Sequence, residues 1–167
     1  MRVLWFERDG GRFTSPRHWT RGAAAMTSTH DLATAAGWWT GRDLEWRAEL
    51  GLAGAALHDE QADRTGDRAA LWDAFRDSGA ASGDPPPASA GALAADAATR
   101  HVASAACDLV VIPIEDALAL TESPNLPGTM DQHPNWRRRL PGMAAELLQP
   151  QHVSDRLAAV TRARAAS

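Results

Sequence analysis

DLVVIPI, residues 108–114, is a continuous apolar run closed by prolyl and acidic residues. It reads as a strand buried on both faces, the pattern of a parallel sheet covered by helices. Working outward from it, residues 2–6 (RVLWF) predict a short buried strand followed by an RDGG turn, and Ala24–Thr29 a second, weaker strand rich in small residues. Helices are expected at 32–39, with Gly37 a weak spot, at 43–50, with Gly51 suited to the C-terminal cap, at 59–78 and at 88–105. The stretch SGDPPP at 82–87 separates the last two, because consecutive prolines cannot continue a helix. Leu71, Trp72 and Phe75 form one apolar stripe on the 59–78 helix. After DLVVIPI come a short helix at 115–120, a long proline-rich loop, and a final helix with Ser154 as its N-cap.

The order of strand, strand, helices, strand, helices predicts an α/β chain with parallel strands at roughly 2–6, 24–28 and 108–113, interrupted by a helical excursion over about 40–105. Three strands are too few to cover or close a parallel sheet, so the pattern is that of part of a larger architecture.

Bulk composition excludes several classes. The 167 residues are 44% hydrophobic, so the chain is not disordered by composition, and a net charge of −4 points to neither nucleic acid nor a membrane surface. No apolar run reaches the roughly 20 residues of a membrane span. The N-terminal residues carry no signal-peptide pattern, and Cys107, the one cysteine, reads as a small buried apolar residue; a cytoplasmic location is expected. Arg137, Arg138 and Arg139 read as a solvated or ion-paired turn. There are seven tryptophans and no tyrosine. Indoles pack against sugar rings and also in cores, and the core reading is preferred for each one taken singly. No phosphate loop, no G-x-S-x-G elbow and no metal-ligand spacing is present; His58 and Asp59 are an isolated pair.

Two polar segments follow strands. His30-Asp31 comes after the second strand, where α/β folds place ligands, although an Asp before a helix is also an ordinary N-cap. Asn125, in NLPGT, offers both a donor and an acceptor on a backbone fixed by Pro and Gly, although such a segment is also a plain turn.

Taken together, VLWFERDG at 3–10, STHDLATAAGWW at 28–39, IPIEDALAL at 112–120 and NLPGTMDQHPNWRRRL at 125–140 resemble the C-terminal portion of amylomaltases, the 4-alpha-glucanotransferases, over residues 2–165. The resemblance implies the C-terminal part of a (β/α)8 barrel that is incomplete in these residues, with 1–167 a portion of its catalytic domain. It implies transfer of α-1,4-glucan segments to a sugar acceptor by a retaining double displacement, with neither metal nor cofactor, on maltodextrin substrates. By motif, Asp31 matches the carboxylate that stabilises the transition state, His30 and Asn125 match substrate-binding positions, and Phe6 matches an aromatic at the rim of the subsite. Ala33 stands where the family usually has proline, which loosens the backbone after Asp31. In the family the nucleophile and the acid/base precede the VLWFE strand. They are therefore expected to be absent here, along with about five strands, and none of Glu7, Glu115 and Asp116 matches either motif. The chain alone is expected to be inactive. The alternative is a non-catalytic glucan-binding or assembly module that pairs with a separate N-terminal chain.

Overall fold

A computed structural model of the chain describes residues 1–52 and 56–166, with side chains outside 56–58; the side chain of His58 thus lies outside the described residues. Three short strands, β1 (Arg2–Val3), β4 (Ala24–Met26) and β5 (Leu109–Val111), form a parallel sheet in the order β1-β4-β5. Their register places Val3 beside Met26 and Met26 beside Val111. Between the first two strands, β2 (Arg8–Asp9) and β3 (Arg12–Phe13) make a hairpin. Its two-residue loop is Gly10-Gly11, both at positive φ, as a tight hairpin turn with matched twist demands.

The helical excursion follows β4 as α1 (Ala35–Thr40), α2 (Arg42–Glu49), α3 (Ala56–Asp77) and α4 (Gly91–Ala103). α1 starts at Thr34, whose hydroxyl accepts from Gly37 N at 2.9 Å, and ends where Gly41 takes a left-handed φ of 90°. The alanine-rich α4 packs against α1 and lies behind β4, since small side chains allow close approach. Gly91 is needed at that crossing: a Cβ would sit 3.0 Å from Ala36 O. α5 (Ile114–Ala117) is one turn, and α6 (Gln151–Ala165) closes on α4.

The core lies between sheet and helices. Leu4, Ala25, Trp39, Leu71, Phe75 and Val102 are fully buried in it. Trp39 meets Trp72 at 5.6 Å between centroids, and Phe75 meets His101 at 5.2 Å. The stripe expected on α3 is therefore the face that is buried.

Several expectations are corrected. Each strand is two or three residues long, because the ladder ends where its partners leave it. β1 passes at Leu4–Phe6 into a 3-10 turn, and after Met26 the Thr27 and Ser28 hydroxyls turn to Asp116. DLVVIPI is not buried on both faces. β5 is an edge strand whose Val110 faces the core beside Ala25, while Leu109 and Val111 on the other face are 56% and 39% exposed. Asp31 is not an N-cap; Thr34 is. α6 begins after Pro150, and Ser154, already inside it, donates to Leu148 O at 3.1 Å. Six of the seven tryptophans are buried or half-buried; Trp136, at 65% exposure, is not.

Candidate functional site

Parallel strands deliver their following loops to one edge. Here residues 27–34, after β4, and residues 112–138, after β5, meet at the C-terminal edge of the sheet. Hydrogen bonds join them from base to rim. At the base, the fully buried Asp116 accepts from Thr27 Oγ1, from Ser28 Oγ at 2.7 Å and from Ala35 N at 2.6 Å. Thr34 Oγ1 donates to Leu120 O at 2.6 Å, and Ser123 Oγ to Leu32 O at 3.1 Å. At the rim, Asn125 Nδ2 donates to Asp31 Oδ1 at 2.6 Å across 94 residues of sequence. Gly37 permits this seam, because a Cβ there would collide with the Thr121 carbonyl oxygen and lie 2.8 Å from Thr34 Oγ1. The weak spot in the α1 sequence is thus a close-approach position.

The rim holds three of the four expected residues together. His30 Nε2 lies 3.2 Å from Asp31 Oδ2, so with the proton on Nε2 both carboxylate oxygens have a donor, and half of each side chain remains open. Both residues line a cleft of about 710 Å³, with Glu115, Trp136 and Arg138 on its other sides. Asn125 stands just behind, lining a small void of about 30 Å³ on the far side of Asp31. Phe6 is not among the cleft residues. It ends the 3-10 turn that follows β1 and is 68% exposed.

The loop that carries Asn125 is anchored on α2 through Glu122. Its carboxylate accepts from Trp46 Nε1 at 2.7 Å and from Arg42 Nε at 2.8 Å, and Arg138 Nη2 lies 3.0 Å away. Burial resists ionisation there, but these bonds and charges outweigh it and hold the Glu122 carboxyl below its ordinary range. Asp116 goes the other way: burial raises its carboxyl despite its three donors. Arg137 pairs with Asp131 at 2.9 Å, so the arginine run is the ion-paired turn that was expected.

Sequence reading missed the parts played by Asp116, Glu122 and Trp136. Asp116 had one available signal: an acid in the first turn of a short helix that directly follows the strand. Among the described residues, no three His, Cys, Asp or Glu side chains gather into a metal-binding group, and no helix is long and apolar enough to cross a membrane.

A profile of the 4-alpha-glucanotransferase family matches residues 1–145. The chain is 31% identical over 163 residues to a 4-alpha-glucanotransferase of Mycobacterium tuberculosis, covering 94% of this chain and 22% of that protein. It is 31% identical over 147 residues to one from Haemophilus influenzae, covering 83% of this chain and 20% of the relative. The fold superposes on an amylomaltase from Corynebacterium glutamicum with a TM-score of 0.83 at 21% identity, over 98% of this chain and 25% of that one. The chain thus spans about a fifth of the length of these curated relatives. By the extent of the profile match and of the identity, the chain belongs to the 4-alpha-glucanotransferase family.

Proposed function

We propose that the chain is the C-terminal part of a (β/α)8 glucanotransferase barrel, and that it carries the transition-state-stabilising carboxylate, Asp31, together with the sugar-binding His30 and Asn125. The observation that carries this reading is the 2.6 Å bond from Asn125 to Asp31, which joins the THD and NLPGT motifs at the edge where barrels build their sites. The barrel assignment is supported by the strand order, parallel and in sequence order apart from the hairpin, and by the open face of Leu109 and Val111, which fits the interior side of a closed sheet.

The chemistry follows from charge. A retaining transfer breaks the glycosidic bond as a carboxylate attacks the anomeric carbon and an acid protonates the departing oxygen. A second sugar hydroxyl then displaces the enzyme from that carbon. Positive charge grows on the sugar in both steps. Asp31, fixed through both oxygens, offers a negative charge already oriented toward it and needs no reorganisation. Asn125 Oδ1 accepts no hydrogen bond among the described residues and could take one from a sugar hydroxyl, and His30 is open enough to share one. Asp116 takes no part: it is fully buried and committed to three donors. Phe6, a rim aromatic by motif, has its ring free to meet sugar only outside the cleft described above.

The test has two arms. Calorimetry of the 167-residue chain with maltoheptaose should show binding, with cellopentaose as the β-linked control showing none. Asn125→Ala should weaken binding about tenfold, while Asp31→Asn should change it by less than about fivefold, because that charge matters mainly in the transition state. In a full-length relative, replacing the aspartate aligned with Asp31 should lower kcat by about a thousandfold or more. The chain alone should release no glucose from maltotriose. Failure of the chain to bind any α-linked oligosaccharide would overturn the reading, and disproportionation by the chain alone would show that a nucleophile and an acid lie among these residues.

A further inference from the structure

Trp136 is out of place by two ordinary standards. It is a bulky residue at a φ of 60°, a left-handed backbone that non-glycine side chains avoid. It is also 65% exposed, while the other six indoles are buried or half-buried. Strain of this kind persists only where the surroundings over-determine it, and here they do. Asn135, the preceding residue, is fixed by its own side chain: Oδ1 accepts from Leu126 N at 2.9 Å and meets His133 Nδ1 at 2.7 Å, and Nδ2 donates to Thr129 Oγ1 at 2.8 Å. Trp136 N donates to Pro124 O at 2.9 Å, and Arg137 N to Pro134 O at 3.1 Å. The fold therefore holds an indole in a costly conformation without burying it. What that conformation achieves is placement: the ring stands 5.2 Å from the His30 imidazole, tilted by 49°, on the wall of the cleft that His30 and Asp31 line.

We infer that Trp136 is the stacking platform of this site, covering the apolar C–H face of the glucosyl unit next to the one held by His30 and Asp31. This rests on the glucan reading above and adds the residue that supplies the apolar half of recognition. A pyranose ring presents hydroxyls at its rim and C–H groups on its face. His30 and Asp31 address rim hydroxyls, and the rest of the cleft's apolar lining, among it Met26, Val111 and Pro124, is aliphatic, so Trp136 is its one flat aromatic face among the described residues. Phe6, the aromatic expected from the motifs, stands outside the cleft. The inference also explains why a loop residue outside the core is held so firmly: a platform that is rigid before binding loses less entropy on binding.

The experiment is a titration of the 167-residue chain and of Trp136→Phe, Trp136→Ala and Trp136→Gly with maltooligosaccharides of graded length, read by calorimetry and by tryptophan emission. Trp136→Gly removes the ring while relieving the backbone, so its fold does not depend on tolerating the strain, and thermal melts verify all variants. The expected result is a loss of affinity of about tenfold or more for both Ala and Gly, as follows from uncovering roughly half an indole. Trp136→Phe should recover most of it. Sugar should shift the wild-type emission to the blue, and that shift should be absent from Trp136→Phe, a readout that a merely structural role would not move. Wild-type affinity in Trp136→Gly, or an unchanged emission shift in Trp136→Phe, overturns the platform and leaves the glucan reading standing. Absence of any maltooligosaccharide binding by the wild-type chain overturns both.

Discussion

Behind the sheet, Trp39, Trp72, Phe75 and His101 lie ring against ring among the alanines of α1 and α4. At the C-terminal edge, the loops at 27–34 and 112–138 meet through hydroxyls, the Asn125 amide and the carboxylates of Asp31 and Asp116, and Glu122 ties the second loop to α2. The helical layer gains from removing apolar area from water, a force without direction that tolerates substitutions of equal volume. The loop layer gains from hydrogen bonds, which fix direction and are costly when only one partner is left. A site that must aim a carboxylate at one carbon needs the second kind of support; the first supplies a platform for it.

The contrast is broken most directly at Asp116. Asp116→Ala would leave the Thr27 and Ser28 hydroxyls and Ala35 N without their acceptor in a dry environment, a loss of about 3–5 kcal/mol by analogy with breaking a buried polar network. Phe75→Ala should cost about the same by opening a cavity. Denaturant unfolding should show two similar stability losses. Maltoheptaose affinity, measured well below both melting points, should collapse for Asp116→Ala and hold for Phe75→Ala. Equal effects on affinity would mean that the two layers are one.

Acid should act on the helical layer. His101 is fully buried against Trp19 and Phe75, with Ser78 Oγ 2.8 Å from Nδ1, and Nε2 has no hydrogen-bond partner of ordinary geometry among the described residues. Burial depresses its pKa from 6.5 to about 4, with the Ala74 carbonyl offsetting part of the shift. Between these values the unfolded chain binds the proton and the folded chain does not. Stability is therefore fully present above 6.5, falls by up to about 1.4 kcal/mol per pH unit below it, and has lost about 3 kcal/mol from this group below 4. Across that window the urea midpoint of the wild type should fall as the pH drops, by more than that of His101→Gln; parallel curves would exclude His101 as the cause.

Gly37 lies on the border between the two layers. Alanine in a helix is ordinarily better than glycine by about 1 kcal/mol. Here Gly37→Ala should instead destabilise by about 1–3 kcal/mol, since its Cβ collides with the Thr121 carbonyl across the seam. A stabilised variant in thermal unfolding would show that the seam is looser than described. The smallest stability effect belongs to Asn125→Ala. The bond it removes lies at an open rim, so unfolding should change by less than about 1 kcal/mol while glucan affinity falls about tenfold. A large stability loss there would make Asn125 a structural residue.

Much of this was legible in the sequence, in a graded way. The three parallel strands followed from apolar runs separated by helical periodicity, and the long α3 from its Leu71–Trp72–Phe75 stripe. Strand ends were not legible, because Thr27 and Ser28 leave the ladder for a carboxylate 89 and 88 residues away. The apolar run at 108–114 was overread for a related reason: composition shows that both faces are apolar, not whether anything covers the second one. His30, Asp31 and Asn125 came from motifs, and the structure brings all three together. Phe6 also came from a motif; it stands at the end of a 3-10 turn, outside the residues that line the cleft, and nothing in the residue types announces that turn. Trp136 was hidden by its class, since an indole taken singly is usually core, and only its backbone angle and exposure set it apart.

The central claim is that the loop layer, and not the helical layer or the opposite edge of the sheet, receives an α-1,4-glucan. It is tested most directly by mapping amide chemical-shift changes across the nitrogen-15-labelled chain during titration with maltoheptaose. The expected result is saturable shifts confined to the amides of 28–32, 111–115 and 123–138, with α3 and α4 unmoved. Shifts centred on the helices or on the N-terminal edge of the strands, or none at any concentration of sugar, would contradict it.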